Sequence, residues 1–370
     1  MKTIRYVGLD VDKVGISIAV FDDAEPNPSV EKRILNTPDK IMKAMNALRE
    51  NGAELRTCYE AGPCGYEIHR LLAGMKIWCA VVAPGLVPSR PSDRVKTNRR
   101  DAVKLARMLR AGEIDAIHVP TPTTESVRDL VRCREDLRDD RMRRRHRLGK
   151  FLLRHGRVYD GNAWTMGHER WLDEQTWEFS ALKETFDHYR FALRETDERM
   201  RRIDVEIGAI AAMEPWKEPV AILRCFRGID TLTALSLVVE IEDFRRFPTA
   251  RSFMGYVGLG VSEYSTGEKQ HRGRITKMGN GHVRRLLVEA VWHYRRKPVV
   301  GKRVRESRVG QPEWVIHIAD KAMRRLHRRF YHLAARNKRP TVAIIALARE
   351  FAGFIWAVQV EHAARATRAA

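Results

Sequence analysis

Apolar and β-branched residues dominate two runs near the start of the chain, residues 3–9 and 15–21, separated by Asp10-Val11-Asp12-Lys13-Val14. Two such runs around a short polar stretch predict a β-hairpin. Pro38-Asp39 then opens a segment, residues 40–50, in which apolar positions recur at helical spacing until Asn51-Gly52 stops it. A short run over 55–59 ends at Glu60. A helix over 66–75, a strand over 77–83, a loop rich in Pro and Arg, a helix over 99–110 and a strand over 116–119 follow. Hairpin strands followed by alternating helices and strands predict a mixed-sheet α/β domain over roughly the first third of the chain.

From residue 126 to about 214 proline and glycine thin out and the pattern becomes long, charged and helical. Its most basic part is Arg141-Met142-Arg143-Arg144-Arg145-His146-Arg147, which reads either as a solvated helix face or as a phosphate-contacting one. Trp164 and Trp171 in the same stretch are expected to pack helix against helix. A third region opens at Pro219. Leu223-Arg224-Cys225-Phe226-Arg227-Gly228-Ile229-Asp230-Thr231-Leu232-Thr233-Ala234 has the shape of a helix-hairpin-helix, whose turn can hold a DNA phosphate on backbone N–H groups, or of a plain αα-hairpin. A glycine-punctuated loop over 258–281 precedes a helix carrying Arg284 and Arg285. Residues 314–332 and the stretch from Pro340 onward read as amphipathic helix covering the core or a partner subunit.

Charge narrows the picture. The 370 residues carry 68 Lys and Arg against 47 Asp and Glu, a net charge of +21, with 44% hydrophobic residues. That apolar fraction excludes a disordered basic tail, and a folded, strongly basic protein has polyanions as its expected partners. The five cysteines form no CxxC pair, which supports neither a disulfide framework nor a zinc site. The N-terminus lacks the pattern of a signal peptide, and the apolar stretch 342–360 is interrupted by Arg349 and Glu350. The expectation is a cytoplasmic protein with no membrane partner.

Three carboxylates in the first domain sit at element ends: Asp10 closes the first strand, Glu60 a later one, and Asp101 begins a basic helix. Acids so placed can converge at one sheet edge as hard oxygen ligands for Mg²⁺, and they can equally cap helices or face solvent. Asp12, Asp22, Asp23 and Asp93 are the neighbours most easily confused with ligands. In the C-terminal loop, Ser262, Ser265 and Thr266 stand among Lys269, Arg272, Arg274 and Lys277. A hydroxyl attacking a phosphodiester needs its proton removed and the phosphate's charge neutralised, and those cations can do the second. A loop that only grips phosphate would carry the same residues.

The ordered set of motifs resembles one family over almost the full chain. Tyr6-Val7-Gly8-Leu9-Asp10-Val11-Asp12-Lys13, Cys58-Tyr59-Glu60-Ala61-Gly62 and Arg94-Val95-Lys96-Thr97-Asn98-Arg99-Arg100-Asp101-Ala102 are its N-terminal markers. Tyr256-Val257-Gly258-Leu259, Ser262-Glu263-Tyr264-Ser265-Thr266-Gly267 and Gly273-Arg274-Ile275-Thr276-Lys277-Met278-Gly279-Asn280 are C-terminal ones. The chain resembles the transposases, or bridge-RNA-guided recombinases, of the insertion-sequence-110 family. The resemblance implies a RuvC-like, RNase H-type metal-binding domain over 1–125, a helical coiled-coil insert over 126–214 and a mostly helical C-terminal transposase domain over 215–370.

The same resemblance assigns roles. Asp10, Glu60 and Asp101 take the first, second and fourth positions of a four-acid Mg²⁺ site, and the third falls on Asn98, either as a neutral oxygen ligand or as a hydrogen-bonding neighbour. The serine nucleophile falls on Ser265, with Thr266 and Ser262 as adjacent hydroxyls. Arg143, Arg144, Arg145, Lys269, Arg272, Arg274, Lys277, Arg284 and Arg285 are the expected nucleic-acid contacts. The implied reaction is strand exchange between donor and target DNA, directed by a structured guide RNA, through a serine-linked intermediate in dimers that pair into tetramers. A metal-only junction resolvase and a non-catalytic nucleic-acid-binding protein are the competing readings.

Overall fold

The computed structural model describes residues 3–23, 25–87, 97–266 and 269–369, which form two compact units, 1–120 and 121–370. Arg94-Val95-Lys96, Asp93 and Gly267 of the sequence motifs lie outside the described residues.

In the first unit the expected hairpin is β1 (Ile4–Val11) and β2 (Gly15–Asp22), antiparallel in the register Leu9↔Ile18 and Asp10↔Ser17. It continues into β3 (Val30–Leu35), which the sequence pattern does not predict. Residues 30–35 alternate half-buried and exposed side chains, with charges at Glu31, Lys32 and Arg33, as an edge strand does. Then come α1 (Pro38–Leu48), β4 (Glu54–Glu60), α2 (Glu67–Gly74), β5 (Trp78–Val82) and α3 (Asn98–Ala111). The sheet order is β3-β2-β1-β4-β5, with β4 parallel to both β1 and β5. The expected strand at 116–119 reduces to one antiparallel bridge, Ala116↔Val82. Pro120 and Pro122 beyond it lack the N–H groups that would extend a ladder.

One face of the sheet is closed by α1 and α2, through Ile41, Met45, Leu48, Ile68 and Leu72 against Val7, Leu9, Leu55 and Tyr59. The other face is closed by α3. A Cβ at Gly8 would stand 2.2 Å from the Ala102 carbonyl oxygen and 2.5 Å from the Ala106 nitrogen, so the helix rests directly on β1 where a side chain is missing. Thr97 caps α3 by accepting from the Arg100 amide, and Gly112, with φ +72°, ends it.

The second unit begins with α4 (Pro122–Arg154), 33 residues long, which pairs with α6 (Ser180–Ile210); α5 (Met166–Asp173) lies between them in sequence. Leu148, Phe151, Leu152, Leu172, Phe186 and Leu193 form a core of their own, with Trp164 and Trp171 packed on it as expected and Trp177 beside them. The sequence boundaries at 125 and 214 separate three domains, whereas here Val127 and Val131 of α4 and Ile207 of α6 sit in the same core as the C-terminal helices. The long helices are rooted in that core, which makes 121–370 one unit.

The rest comprises α7 (Lys217–Arg224), α8 (Thr231–Ile241), α9 (Ala250–Tyr256), β6 (Val261–Glu263), β7 (Arg272–Ile275), α10 (Gly281–Val291), α11 (Lys302–Ser307), α12 (Glu313–Ala335) and α13 (Pro340–Ala369). The α7–α8 segment is an αα-hairpin. Gly228, at φ +84°, faces the end of α10, where a Cβ would stand 2.3 Å from the Ala290 carbonyl oxygen. Asp230 accepts from the Thr233 amide at 2.8 Å, which occupies one of the helix-start N–H groups. By length and composition α13 is apolar enough to cross a membrane, contrary to the expectation from Arg349 and Glu350. Its Leu347, Phe351, Ile355 and Val358 are fully buried in the core of this unit.

Candidate active site

The acids come together through register. Leu9 pairs with Tyr59 in the parallel β1–β4 ladder, so Asp10 and Glu60, each one residue further, stand side by side at the carboxyl ends of adjacent strands. Alternation puts them on the face of Gly8 and Cys58. That face is covered by α3: Gly8 abuts Ala102 and Ala106, and the Cys58 thiol lies 3.5 Å from the Leu105 carbonyl oxygen. Residues 98, 101, 102 and 105 share one stripe of a helix, which sets Asp101 above the same sheet face as Asp10 and Glu60. The three carboxylates are a hard oxygen set of the kind Mg²⁺ takes. Among the described residues, however, no group of three or more His, Cys, Asp or Glu side chains is close enough to hold a metal ion as it stands.

Asn98 is engaged elsewhere. Its amide nitrogen donates to Asp12 Oδ2 at 3.1 Å, and Arg33 donates to the same oxygen at 2.8 Å. Asp12 Oδ1 accepts from the backbone amides of Gly15 at 2.6 Å and Val14 at 2.8 Å. These two backbone bonds, helped by Arg33 and Asn98 against a small burial penalty, hold the Asp12 carboxyl below the ordinary carboxylate value. Asp12, which in the sequence is only a neighbour of the expected ligands, is therefore the clamp that closes the β1–β2 turn and tethers the start of α3, with Asn98 as its hydrogen-bonding partner.

In the second unit the loop expected over 258–281 is a β-hairpin. Val261 pairs with Ile275 and Glu263 with Arg272 across a bulge, Tyr264 N donates to His271 O at 2.9 Å, and Thr266 and Lys269 exchange backbone bonds of 3.2 Å. The base is latched tightly. Gly258 and Gly279 have φ of +68° and +77°, and a Cβ on either would come within 2.1 Å of a carbonyl oxygen, of Met278 or Tyr256. Arg284 donates to the Val257 carbonyl at 3.0 Å, which makes it part of the latch.

Two of the three hydroxyls, Ser262 and Ser265, separate by their partners. Ser262 donates to the Arg274 carbonyl at 3.0 Å across the hairpin, within its own backbone frame. Ser265 is exposed and donates to Glu263 Oε1 at 2.8 Å. Glu263 is the candidate that sequence reasoning missed; the signal was its position two residues before Ser265, which in an extended chain puts both side chains on one face. Lys269, Arg272, Arg274 and Lys277 are all exposed and, among the described residues, none is ion-paired, which leaves their charge available to an anion.

The other basic residues expected at nucleic acid have partners in the fold; Arg144, Arg145 and Arg285 are half-buried, whereas Arg143 is exposed. Arg285 pairs with Glu289 and Glu135, Arg143 with Asp140, and Arg144 donates to the Ala192 carbonyl at 3.1 Å. Arg145 lies 4.9 Å over the Trp164 ring, where burial lowers its pKa. The acids and carbonyls that engage these cations come from α4, α6 and α10, and the sequence run showed only one sign of charge because most of those partners are remote along the chain.

Comparisons with known proteins bear directly on these two places. A family model described as a transposase, of the DEDD kind, matches residues 7–156, and one described as transposase IS116/IS110/IS902 family matches residues 220–305. The chain is 42% identical over 363 residues to the putative transposase y4qE of Sinorhizobium fredii, covering 96% of this chain and 88% of that one. It is 36% identical over 344 residues to the transposase for insertion sequence element IS1533 of Leptospira borgpetersenii, covering 92% and 99%. The acid-bearing sheet edge lies inside the first matched segment and the Ser265 hairpin inside the second, and the chain belongs to the IS116/IS110/IS902 family of insertion-sequence transposases.

Proposed function

We propose that this transposase exchanges strands between donor and target DNA through a covalent link at Ser265, directed by a structured guide RNA. The observation that carries the serine assignment is the 2.8 Å hydrogen bond from Ser265 to Glu263 on a hairpin whose cations have no ion-pair partner among the described residues. In the step so supported, the Ser265 oxygen forms a bond to phosphorus as its proton passes to Glu263, and the bond to one deoxyribose oxygen breaks. That oxygen leaves with a proton, and the reverse attack by the hydroxyl of a second strand releases the serine. Lys269, Arg272, Arg274 and Lys277 neutralise the charge that builds on the phosphate.

Asp10, Glu60 and Asp101 are the residues that would take up a divalent cation, Mg²⁺ by the hardness of their oxygens. Such an ion, when bound, lowers the cost of negative charge on a phosphodiester. Asn98 would act through Asp12, by orienting the first turn of α3. The reading includes action in the cytoplasm by dimers that pair into tetramers, with the acids and the serine meeting at one phosphodiester. Guide-RNA reading of sequence is consistent with the net charge of +21, which suits many phosphates and no particular base.

The test uses a nicked DNA suicide substrate and denaturing gels. Wild-type chain should leave a denaturant-resistant protein–DNA adduct and Ser265→Ala none. An adduct persisting in Ser265→Ala would move the nucleophile elsewhere, and nicks with free ends and no adduct would favour the metal-only resolvase. Recombination that proceeds without RNA transcribed from beside the gene would remove RNA guidance.

A further inference from the structure

A groove of about 550 Å³ on the second unit lies between Pro298 and one face of α12, lined by Arg324, His327, Arg328, Tyr331 and His332. We infer that this groove binds an unpaired strand of DNA, gripping its backbone with Arg324 and Arg328 and stacking a base on Tyr331. The inference stands apart from the Ser265 hairpin and does not depend on which residue is the nucleophile.

Charge comes first. Neither residues 290–305 nor residues 321–349 contain a single Asp or Glu, and the groove lies where these two acid-free segments meet. Arg324 and Arg328 are exposed and, among the described residues, have no ion-pair partner; the neighbouring Arg325 is paired with Glu350. Two unpaired guanidinium groups one helical turn apart present a repeating positive edge to successive phosphates.

Rigidity comes second. The far wall is pinned from beneath by Arg227, which donates to the carbonyls of Arg296, Lys297 and Val299 at 3.3, 2.9 and 2.6 Å. The His327 ring meets the Tyr294 carbonyl oxygen at 3.1 Å, and the Tyr331 hydroxyl donates to the Arg295 carbonyl at 3.1 Å. Bound this way at its hydroxyl, and touched edge-on by His327 at 4.8 Å between ring centres, Tyr331 still keeps 54% of its surface exposed. A fixed, exposed ring between cations is the arrangement that takes unpaired bases without reading sequence. A duplex hides its base faces and would use only the charges.

The experiment uses full-length Ser265→Ala protein, so that no reaction competes with binding, and fluorescence anisotropy of a labelled oligo-dT 20-mer across salt concentrations. Tyr331→Ala should weaken binding about tenfold while Tyr331→Phe holds it. Arg324→Gln with Arg328→Gln should weaken it and flatten the log–log salt slope by about 1.4, near 0.7 for each phosphate no longer neutralised. Arg199→Gln, an exposed cation on α6, should change neither. Unchanged oligo-dT affinity in the double Gln variant overturns the inference, as does a loss seen only on duplex DNA or only on oligo-U RNA. Both Gln positions are exposed, so that variant decides the question even if Tyr331→Ala proves unstable.

Discussion

Asn280 joins Glu240 to the start of α10: its amide nitrogen donates to Glu240 Oε2 at 2.9 Å while its oxygen accepts from the Val283 amide at 3.0 Å. Glu240 is almost wholly buried and also receives Arg132 in a two-pronged bond of 2.8 and 3.1 Å. The returning strand of the Ser265 hairpin leads to Asn280, so one side chain ties that strand to α8 and α4. Asn280→Ala removes a helix cap and a bond to a buried charge, a loss of about 2 to 3 kcal/mol in urea unfolding. It should also slow adduct formation, because the base of the hairpin loses its anchor.

The same cluster sets an acid limb to stability. Burial pushes the Glu240 carboxyl up, but Arg132, the Asn280 amide and Arg128 together outweigh it and hold the group below its ordinary value of 4.5. Burial pushes His282 below 6.5, opposed by Glu240 and aided by Arg285. Both groups bind protons more weakly folded than unfolded, so each contributes stability above its unfolded pKa that is lost as pH falls through the folded one. The urea midpoint should hold near pH 7 and then fall, first below about 6.5 from His282 together with His69, His168 and His293, which burial also lowers, and again below about 4.5 with Glu240 contributing. Glu240→Gln should shrink the second fall, leaving the part that Asp12, Glu31 and Asp173 supply, and keep the first; a midpoint unchanged from pH 7 to 4 would contradict both assignments.

Gly8→Ala tests the packing that places Asp101. The added methyl would enter backbone atoms of α3, at 2.2 Å from Ala102 O, and neither partner is a flexible side-chain end. Overpacking of this sort costs about 1 to 3 kcal/mol. The helix should also lift from β1, carrying Asp101 away from Asp10 and Glu60. Thermal unfolding should show the first effect, and DNA cleavage by the folded fraction should fall by more than the lost population accounts for.

Much of this is legible in the chain and some is not, for reasons visible in particular residues. Runs with one strong period, such as 3–9 and 15–21, fall within about two residues of β1 and β2. Strand β3 escapes because its exposed face is charged, and the hairpin of β6 and β7 because glycines and cations mask a ladder only a few residues long. The acids at 10, 60 and 101 are legible as element ends, and strand register then explains their neighbourhood. What sequence order hides is pairing at a distance: Arg285 with Glu135, Asn98 with Asp12, Arg144 with the Ala192 carbonyl. Each turns an apparently free polar group into a structural one.

Glu263→Gln probes the proton acceptor of the serine step directly. The amide keeps the size of the side chain and can still accept a hydrogen bond from Ser265, but it has no capacity to take up the proton. Loss of a positioned base slows a proton transfer by about 10²- to 10⁴-fold, so the adduct should form at least 100-fold more slowly, with Glu263→Asp between the two. DNA affinity should hold or rise slightly, because the substitution removes a negative charge from the position paired with Arg272 across the hairpin. That split, rate lost and binding kept, is what a hairpin that only grips phosphate does not produce. Adduct formation at the wild-type rate in Glu263→Gln would leave Ser265 to another base.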